Sequence, residues 1–513
     1  MVHSVFRHFR LHILGMAAVL FPFLSSGAAE KYFEIDIEDA ETGRGVPLVE
    51  LVTVNKMRYV TDSAGRVAFS EPGLMGQTIF FDIHAQGYEV PKDGFGIAGA
   101  RLKIEGGGSA TVKLQRRNIA ERLYRCTGYG VYRDTVLLGK AAPIAEPLGA
   151  GLVAGQDSVL ATPYRGKLYW FWGDTGRMSY PLGLFRMAGA TSELPGKGGL
   201  APSVGVDLKY FTAKDGFCRA MADVPNPEGV VWIDGVCTVL DETGRERLVG
   251  HFSRRKGLES EYEHGMMLYN DEREIFEVKT TLTLTERWRH LAGQATKFKV
   301  DGKEYIYSGG PVLNVRVPAT LKDVMTPSKY EAWSCVAPEA DPSKVEPTRD
   351  WAWGNAGPIS SKEEARWLKD GKIKGADARF SPEDSEKPGR RVQLHSGSVR
   401  WNPHRQRWIT IAVEFAYHEK GSPSPLGEVW YSEADSPEGP FQKAVRIVTH
   451  NNQTFYNPVH HSFFDEEGGR VIYFEGTYTN SFVGTPPTPL YEYNQVMYRL
   501  DLDTPKLREA FGR

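Results

Sequence analysis

Short runs of alternating apolar and polar residues, separated by turn residues, fill most of this 513-residue chain. In the segment 30–116, Phe33, Ile35 and Ile37 alternate with polar residues, which is typical of half-buried strands. The run at 62–65, Asp-Ser-Ala-Gly, predicts a hairpin turn between two more strands. We therefore predict a small antiparallel β-sandwich over 30–116.

A second pattern begins after residue 150, where an apolar strand, a polar turn and another apolar strand recur. The related segments are GQDSVLATPYRGKLYWFWGDT, WIDGVCTVLDETGRERLVGHFSRR, GQATKFKVDGKEYIYSGG, HSGSVRWNPHRQRWITIAVEF and NPVHHSFFDEEGGRVIYFEGTYT. Further strand-like runs follow most of them. Repeated units of short strands favour propeller blades over a sandwich. The predicted fold class is all-β: a small β-sandwich, a linker at 117–150 leading onward, and a five-bladed β-propeller over 151–505.

One stretch, at about 337–390, does not follow the repeat. It is rich in Pro, Lys, Glu and Asp and contains the helical-looking KEEARWLKDGK. We interpret it as an insertion on one face of the propeller, where long loops are commonly functional or mobile.

The first 29 residues predict a signal peptide. Arg7 and Arg10 precede an apolar run over 11–24, and small residues at 25–29 offer a cleavage site. The apolar run is interrupted by Pro22 and is too short to span a bilayer, and no later segment has a transmembrane pattern. We expect export to the periplasm or the extracellular space, without integral membrane association.

Composition and charge limit the classes of molecule that the protein can bind. The formal charge is only -2, and no Lys/Arg block is present that could follow a phosphate backbone, so nucleic acid is excluded as a partner. The many aromatic residues suit both all-β packing and stacking on sugar rings. Cys126, Cys218, Cys237 and Cys335 allow two disulfides in an oxidising compartment, or four buried thiols. No CxxC pair is present, so no zinc site is predicted.

Propeller geometry brings first-strand starts, second-strand ends and the following connection to one axial rim. The polar residues at these points are Asp157, Gln294, His395 and His460 (first strands), Asp174, His251, Glu414 and Glu475 (second strands), and Glu261, Tyr262, Glu263 and His264 (a connection). Glycosidic bond cleavage needs two carboxyl groups, and crowded carboxylates raise the pKa of at least one so that it can act as an acid. A ring of acids with neighbouring His and aromatic groups therefore predicts a carbohydrate site.

Structural explanations stand beside these functional ones. Asp174 could cap a tight turn, and Glu414 and Glu475 could mark solvated strand ends. His460 and His461 are adjacent on a strand, so at most one enters the channel. Trp170 and Trp172 are more typical of a core than of a sugar platform. No cofactor or metal ligand set is predicted, and a structural calcium ion stays open as an alternative.

Two resemblances add to this interpretation. The segments GVPLVELVTVN, TDSAGRVAF and AQGYEV resemble carboxypeptidase regulatory-like, immunoglobulin-type domains, which implies a spacer or docking role. The repeat unit with an innermost Asp resembles the five-bladed arabinanase, xylosidase, levansucrase and invertase superfamily. That resemblance implies Asp157 as base or nucleophile, Glu263 as acid with Glu414 competing, and Asp174 as the tuning carboxylate. Gln156-Asp157-Ser158 stands where the invertases have Asn-Asp-Pro-Asn.

The sequence therefore predicts an exported glycoside hydrolase with catalytic Asp157, Asp174, Glu263 and Glu414. The predicted substrate-binding residues are His251, His264, Gln294, His395, Tyr456, His460 and Glu475. A non-catalytic carbohydrate-binding propeller would need the aromatics and histidines but not paired acids. A polysaccharide lyase, using His395, His460 or Tyr456 to remove a proton beside a uronate, is the other alternative.

Overall fold

The computed structural model describes residues 31–348, 350–415 and 426–512. Strands hold 44% of the residues and helices 8%, so the predicted all-β class is confirmed. The predicted signal peptide at 1–29 lies outside the described residues. Among the described residues, none of the helices combines the length and the apolar character needed to cross a bilayer.

The N-terminal part consists of two four-stranded sheets packed face to face. Its strands are β1 (Phe33–Asp39), β2 (Val49–Thr53), β3 (Arg58–Val60), β4 (Arg66–Phe69), β5 (Thr78–Ala85), β6 (Tyr88–Glu89), β7 (Gly99–Lys103) and β8 (Ser109–Arg116). The strand orders are β4-β1-β8-β6 and β3-β2-β5-β7. Alternate residues of both sheets, such as Ile35 and Leu51, are fully buried in one shared core, as period-two strands require.

The segment after β8 joins this sandwich to the rest of the chain. It contains β9 (Glu121–Arg125) and helix α1 (Arg133–Leu137), which packs against β4. The carboxylate of Asp62 accepts hydrogen bonds of 2.7 Å from both the amide and the hydroxyl of Thr135. Tyr491, near the C-terminus, donates to the Thr61 carbonyl at 2.9 Å. The sandwich is therefore held by buried polar contacts.

The remaining elements follow in chain order. They are β10 (Val153–Gln156), β11 (Leu160–Tyr164), β12 (Lys167–Trp172), β13 (Thr175–Arg177), β14 (Tyr180–Leu184), β15 (Ala188–Glu193), β16 (Lys209–Tyr210), β17 (Ala222–Asp223), β18 (Val230–Leu240), β19 (Glu246–Arg255), β20 (Glu261–Asn270), β21 (Ile275–Leu282), β22 (Thr296–Val300), β23 (Lys303–Ser308), β24 (Val315–Pro318), α2 (Leu321–Val324), β25 (Glu331–Ser334), β26 (Ala352–Gly354), α3 (Ser361–Lys369), β27 (Glu383–Asp384), β28 (Leu394–Asn402), β29 (Arg407–Glu414), β30 (Val429–Ala434), β31 (Lys443–Val448), β32 (Thr454–His460), β33 (Val471–Thr479), β34 (Asn494–Asp501) and α4 (Pro505–Phe511).

Within the described residues these strands form five larger sheets and one small one, β10-β13-β14. Sheet 1 is β11-β12-β15-β16 and sheet 2 is β18-β19-β20-β21-β17. Sheet 3 is β22-β23-β24-β25-β26 and sheet 4 is β28-β29-β30-β31-β27. Sheet 5 is β32-β33-β34-β9, so a strand from the N-terminal side of the chain completes the C-terminal sheet. β9 lies in the segment 117–150, for which the sequence predicted a linker or an entry into the propeller.

The five sheets pack on one another in a closed ring, because each shares a buried core with the next. The shared cores contain Phe171 and Leu248 (sheets 1 and 2), Val249 and Ile306 (2 and 3), Tyr307 and Trp408 (3 and 4), Ile411 and Phe474 (4 and 5), and Tyr473 and Trp170 (5 and 1). Trp170 and Trp172 are core residues, as the sequence favoured. Residues within or directly before all five first strands line one channel of about 210 Å³.

The segment 337–390 is built into this ring. β26 and β27 add edge strands to sheets 3 and 4, and Trp367 of α3 is buried in the core between them. The carboxylate of Glu364 accepts the amides of Arg379 and Phe380 at 2.6 and 2.8 Å. These contacts fix the segment against the ring.

The state of the four cysteines distinguishes the two alternatives of disulfides and free thiols. Among the described residues, none of Cys126, Cys218, Cys237 and Cys335 forms a disulfide, and the last three are buried. The structure therefore agrees with the thiol alternative.

Candidate active site

A cavity of about 600 Å³ adjoins the axial channel, with which it shares several lining residues. Its walls come from sheets 1, 2, 4 and 5. The residues named from the sequence that line it are Asp157, His251, Glu261, His395 and Tyr456. The cavity is thus the place where five of the named positions meet.

Asp157 and Asp174 are opposed at the ends of adjoining strands. Gln156 of β10 pairs with Thr175 of β13, so the next residues outward are the two aspartates. The Asp157 amide donates to the Asp174 carbonyl at 3.3 Å, and the Gly173 amide donates to the Asp157 carbonyl at 2.9 Å. The antiparallel pairing therefore holds two acidic residues side by side, with Asp157 lining the cavity and Asp174 beside it.

Electrostatics separate Asp157 from an ordinary surface carboxylate. Burial, and then the charge of Asp174, raise the pKa of Asp157 to about 6. Hydrogen bonds from Tyr493 and from Tyr456, the latter 2.8 Å from Oδ2, oppose that rise. Burial also raises the pKa of Asp174, and the hydrogen bond that the Trp232 indole donates to it at 2.9 Å opposes this rise. A carboxyl group with a pKa near 6 can hold or release a proton at physiological pH.

This raised pKa has a consequence for stability. The folded protein binds the Asp157 proton more tightly than the unfolded chain, whose ordinary pKa is 3.8. The contribution of Asp157 to stability is therefore full below about pH 4 and is lost as the pH rises through about 6. Asp157→Asn is expected to raise the free energy of unfolding at pH 8 by about 3 kcal/mol. Denaturant unfolding at pH 8 and pH 4 measures it; the gain should vanish at pH 4, and a loss at pH 8 would contradict the expectation.

Gly173 sets the position of the Asp157 carboxylate. A Cβ at residue 173 would lie 2.2 Å from Asp157 Oδ1, far inside van der Waals contact. Gly173→Ala is expected to displace this carboxylate and to lower kcat/KM about 10- to 100-fold, because small misplacements of catalytic groups are costly. Gly176→Ala is the matched control, since its Cβ would meet nothing nearer than 3.4 Å. Equal activity of the two variants would show that the position of Asp157 is not limiting.

Two residues that line both the cavity and the channel, Ser158 and Asn457, have an unusual backbone conformation. Ser158 and Asn457 both have left-handed φ angles, 51° and 52°, although neither is glycine. The side-chain amide of Asn457 donates a hydrogen bond to the Ser158 hydroxyl at 2.7 Å, and the Ser158 backbone amide donates to the Thr477 hydroxyl at 3.0 Å. Such conformations persist where neighbouring contacts hold them, as at ligand-binding sites.

Sheet 2 supplies the facing wall with one face of β18 and β19. Trp232 pairs with Ser253 and Asp234 pairs with His251, so all four side chains fall on the same face. All four line the cavity. Burial raises the pKa of Asp234, and hydrogen bonds from the backbone amides of Gly293 and Gly235 partly oppose that rise. Asp234 and Trp232 were not among the residues predicted from the sequence.

A β-bulge decides which acid of β20 enters the cavity. Arg254 pairs with Glu263, and after an irregularity Arg255 pairs with Glu261. The bulge places Glu261 on the cavity wall, where it accepts the Ser253 hydroxyl at 2.6 Å. Glu263 lies on the other face in an ion pair of 2.7 Å with Arg254. The predicted acid Glu263 is therefore replaced in position by Glu261, two residues earlier.

Other predicted site residues lie away from the cavity. Glu414 is ion-paired with Arg390 and accepts the Trp430 indole at 3.1 Å, in a separate pocket next to α3. Gln294 lines the axial channel and donates to the Val159 carbonyl at 2.9 Å.

Two more predicted residues are fully buried between strands. His460 contacts Asp465 at 2.7 Å, and Glu475 contacts His461 at 2.7 Å. Both residues are buried and neither lines the cavity, and their partners Asp465 and His461 lie in the connection between β32 and β33. Their partners were not visible as sequence motifs.

Two histidines of sheet 2 and one from the connection after β21 form a cluster at the cavity wall. His251 and His264 contact each other at 3.0 Å through Nε2 and Nδ1, and the ring of His290 stacks on His251 with centroids 3.8 Å apart. Burial lowers the pKa of His251 and of His290, so both are neutral at neutral pH. The sequence analysis gave His251 and His264 a substrate-binding role and did not select His290.

On the sheet 4 side, His395 and Phe415 form a flat surface. Their rings stack at 5.4 Å between centroids with 15° between planes, and His395 lines the cavity. Burial lowers the pKa of His395. A neutral imidazole beside an aromatic ring can hydrogen-bond a hydroxyl and stack on a sugar ring.

Comparisons with known proteins are distant. No protein-family profile and no curated protein matches the chain. Solved structures include a thermostable family-43 glycoside hydrolase, with 10% identity over 68% of this chain and 90% of that one and a TM-score of 0.32. An α-L-arabinofuranosidase from Clostridium thermocellum has 10% identity over 66% and 88%, TM-score 0.33. An exo-1,5-α-L-arabinanase from a bovine ruminal metagenomic library has 10% identity over 68% and 93%, TM-score 0.34. Similarities this weak assign no activity or residue role to this chain.

Proposed function

We propose that this protein is a glycoside hydrolase whose reaction takes place in the 600 Å³ cavity. The observation that carries the proposal is Asp157, a half-buried cavity-lining carboxyl group with a pKa of about 6 beside a second aspartate. In this interpretation sheets 1 to 5 are the blades of a five-bladed propeller, and the substrate is a polysaccharide or an oligosaccharide.

Asp157 is the proton donor in this scheme. Protonation of the departing glycosidic oxygen needs an acid that still holds its proton near neutral pH, and burial beside Asp174 provides one. Asp174 is not among the cavity-lining residues, so its role is to raise the pKa of Asp157 rather than to touch the sugar. This role differs from the one that the superfamily resemblance implies, in which Asp157 is the base or nucleophile.

Glu261 is the second carboxylate. It lines the same cavity on sheet 2, and the Arg255 guanidinium lies 3.5 Å from its Oε1. An ion-paired carboxylate suits the group that activates water or attacks the anomeric carbon. His395 and Trp232, which line the cavity, provide hydrogen-bonding and stacking groups for the sugar. Phe415 stacks on His395 from the neighbouring pocket and supports its ring.

We also propose that the protein is exported. The support is the basic, apolar and small-residue order of residues 1–29. An extracellular or periplasmic site fits a polysaccharide substrate.

The experiment is to incubate the mature protein with a panel of polysaccharides and aryl glycosides and to follow new reducing ends. The Asp157→Asn/Glu261→Gln double variant is the control. Release by the wild type and none by the double variant supports hydrolysis. An unsaturated, ultraviolet-absorbing product would show a lyase, and binding without turnover would show a carbohydrate-binding protein; either result overturns the proposal.

A further inference from the structure

The three-histidine cluster of sheet 2 consists of His251 of β19, His264 of β20, and His290, which follows β21. One ring nitrogen of each residue lies within 4.8 Å of the others. Neutral imidazole nitrogens at such separations are a ligand set for a transition metal ion.

Backbone carbonyls orient two of the three rings. His264 Nε2 contacts the Thr283 carbonyl at 2.9 Å, so its proton belongs there and the Nδ1 lone pair points to His251. His290 Nδ1 contacts the Leu291 carbonyl at 2.9 Å, which favours the proton on Nδ1 and leaves Nε2 as the lone-pair nitrogen. Carbonyls that accept the second N–H of a histidine are the usual outer contacts of metal-binding imidazoles.

The surroundings suit a cation that is reachable from the cavity. His251 and His290 line the cavity, whereas His264 is buried behind them. Asp234 pairs with His251 across β18 and β19, and Glu261 lies on the same wall. Carboxylates near a site increase its attraction for positive charge.

We propose that His251, His264 and His290 bind a divalent transition metal ion of the zinc class. Zinc takes imidazole nitrogens at about 2.0 to 2.1 Å, and sites with three protein ligands leave one position open. Without an ion, His251 Nε2 donates its proton to His264 Nδ1 at 3.0 Å. On binding, His251 takes the tautomer that is protonated on Nδ1, and small side-chain rotations then let both nitrogens share the ion. Because His251 and His290 line the cavity, an ion bound by the cluster would be reachable from it. A hard cation such as calcium prefers oxygen ligands and does not fit this set.

The test uses the full-length mature protein, freed of any affinity tag and stripped with a chelator. Zn²⁺ is titrated by calorimetry, and Co²⁺ is titrated while its visible absorption is followed. We expect one equivalent per chain for both ions and no saturation with Ca²⁺. No substrate is present, so failure of this proposal leaves the hydrolase proposal untouched.

Matched variants locate the site. His290→Gln, in a half-buried connection, and His264→Asn are each expected to weaken Zn²⁺ binding at least about 100-fold. His395→Gln, in the same cavity but outside the cluster, should bind as the wild type does. Near-ultraviolet circular dichroism shows which variants fold. The proposal is wrong if the wild type binds neither ion, or if folded His290→Gln binds both as tightly as the wild type.

Discussion

Asp157→Asn is expected to lower kcat at least about 10³-fold on glycosides whose leaving group needs a proton. Asn keeps the size of the side chain and can still accept from Tyr456, but it cannot deliver a proton to the departing oxygen. The same substitution removes the repulsion with Asp174 that raises the pKa. Folding should therefore be intact while turnover is lost.

The leaving group provides the sharpest readout for this variant. A dinitrophenyl leaving group departs without protonation, so its hydrolysis should fall far less than that of a plain alkyl or sugar glycoside. The pH profile of kcat/KM gives a second signature, because a donor with a pKa of about 6 makes wild-type activity decline above that pH. That decline should be missing from the residual activity of Asp157→Asn.

Asp174→Asn is the companion measurement. Removing its charge should lower the pKa of Asp157 and move the alkaline limb of the profile to lower pH, with a smaller loss of kcat. If Asp157→Asn lost equal activity on good and poor leaving groups, Asp157 would be the base or nucleophile that the superfamily resemblance implies.

Much of the architecture could be predicted, because its signals are local. Alternation in β1 and the strand–turn–strand repeats predict the sandwich and the ring of sheets, since period two and turn residues are properties of neighbouring positions. The opposition of Asp157 and Asp174 follows from the same logic, as one precedes and the other follows a single hairpin. The participation of β9 in sheet 5 was not predictable, because its partner strand lies about 370 residues later.

The rest of the site depends on features that no local pattern shows. Residues two apart on a strand normally share a face, but the register shift between Arg254 and Arg255 places Glu261 and Glu263 on opposite faces of β20. Glu261, and not Glu263, therefore lines the cavity. His290 and Tyr493 reach the site from connections with no strand period. His460 and Glu475 occur at the expected strand positions, but Asp465 and His461, both in the connection between β32 and β33, contact them instead.

Glu261→Gln tests the bulge and the chemistry together. It is expected to lower kcat about 10²- to 10⁴-fold, because the amide can neither attack the anomeric carbon nor take a proton from water. The loss should be the same for good and poor leaving groups, unlike that of Asp157→Asn. In Glu261→Ala, whose shortened side chain leaves room for a small anion, added azide should attack the anomeric carbon, displace the leaving group and restore part of the turnover as a glycosyl azide.

Glu263→Gln is the matched control, since it makes the same chemical change two residues away on the same strand. It weakens an ion pair with Arg254 on the opposite face of sheet 2, so we expect a small loss of stability and kcat within about twofold of the wild type. Steady-state kinetics of both variants, with thermal unfolding of each, separate the two effects. An inactive Glu263→Gln beside an active Glu261→Gln would reverse the assignment and place the original sequence-based acid in the reaction.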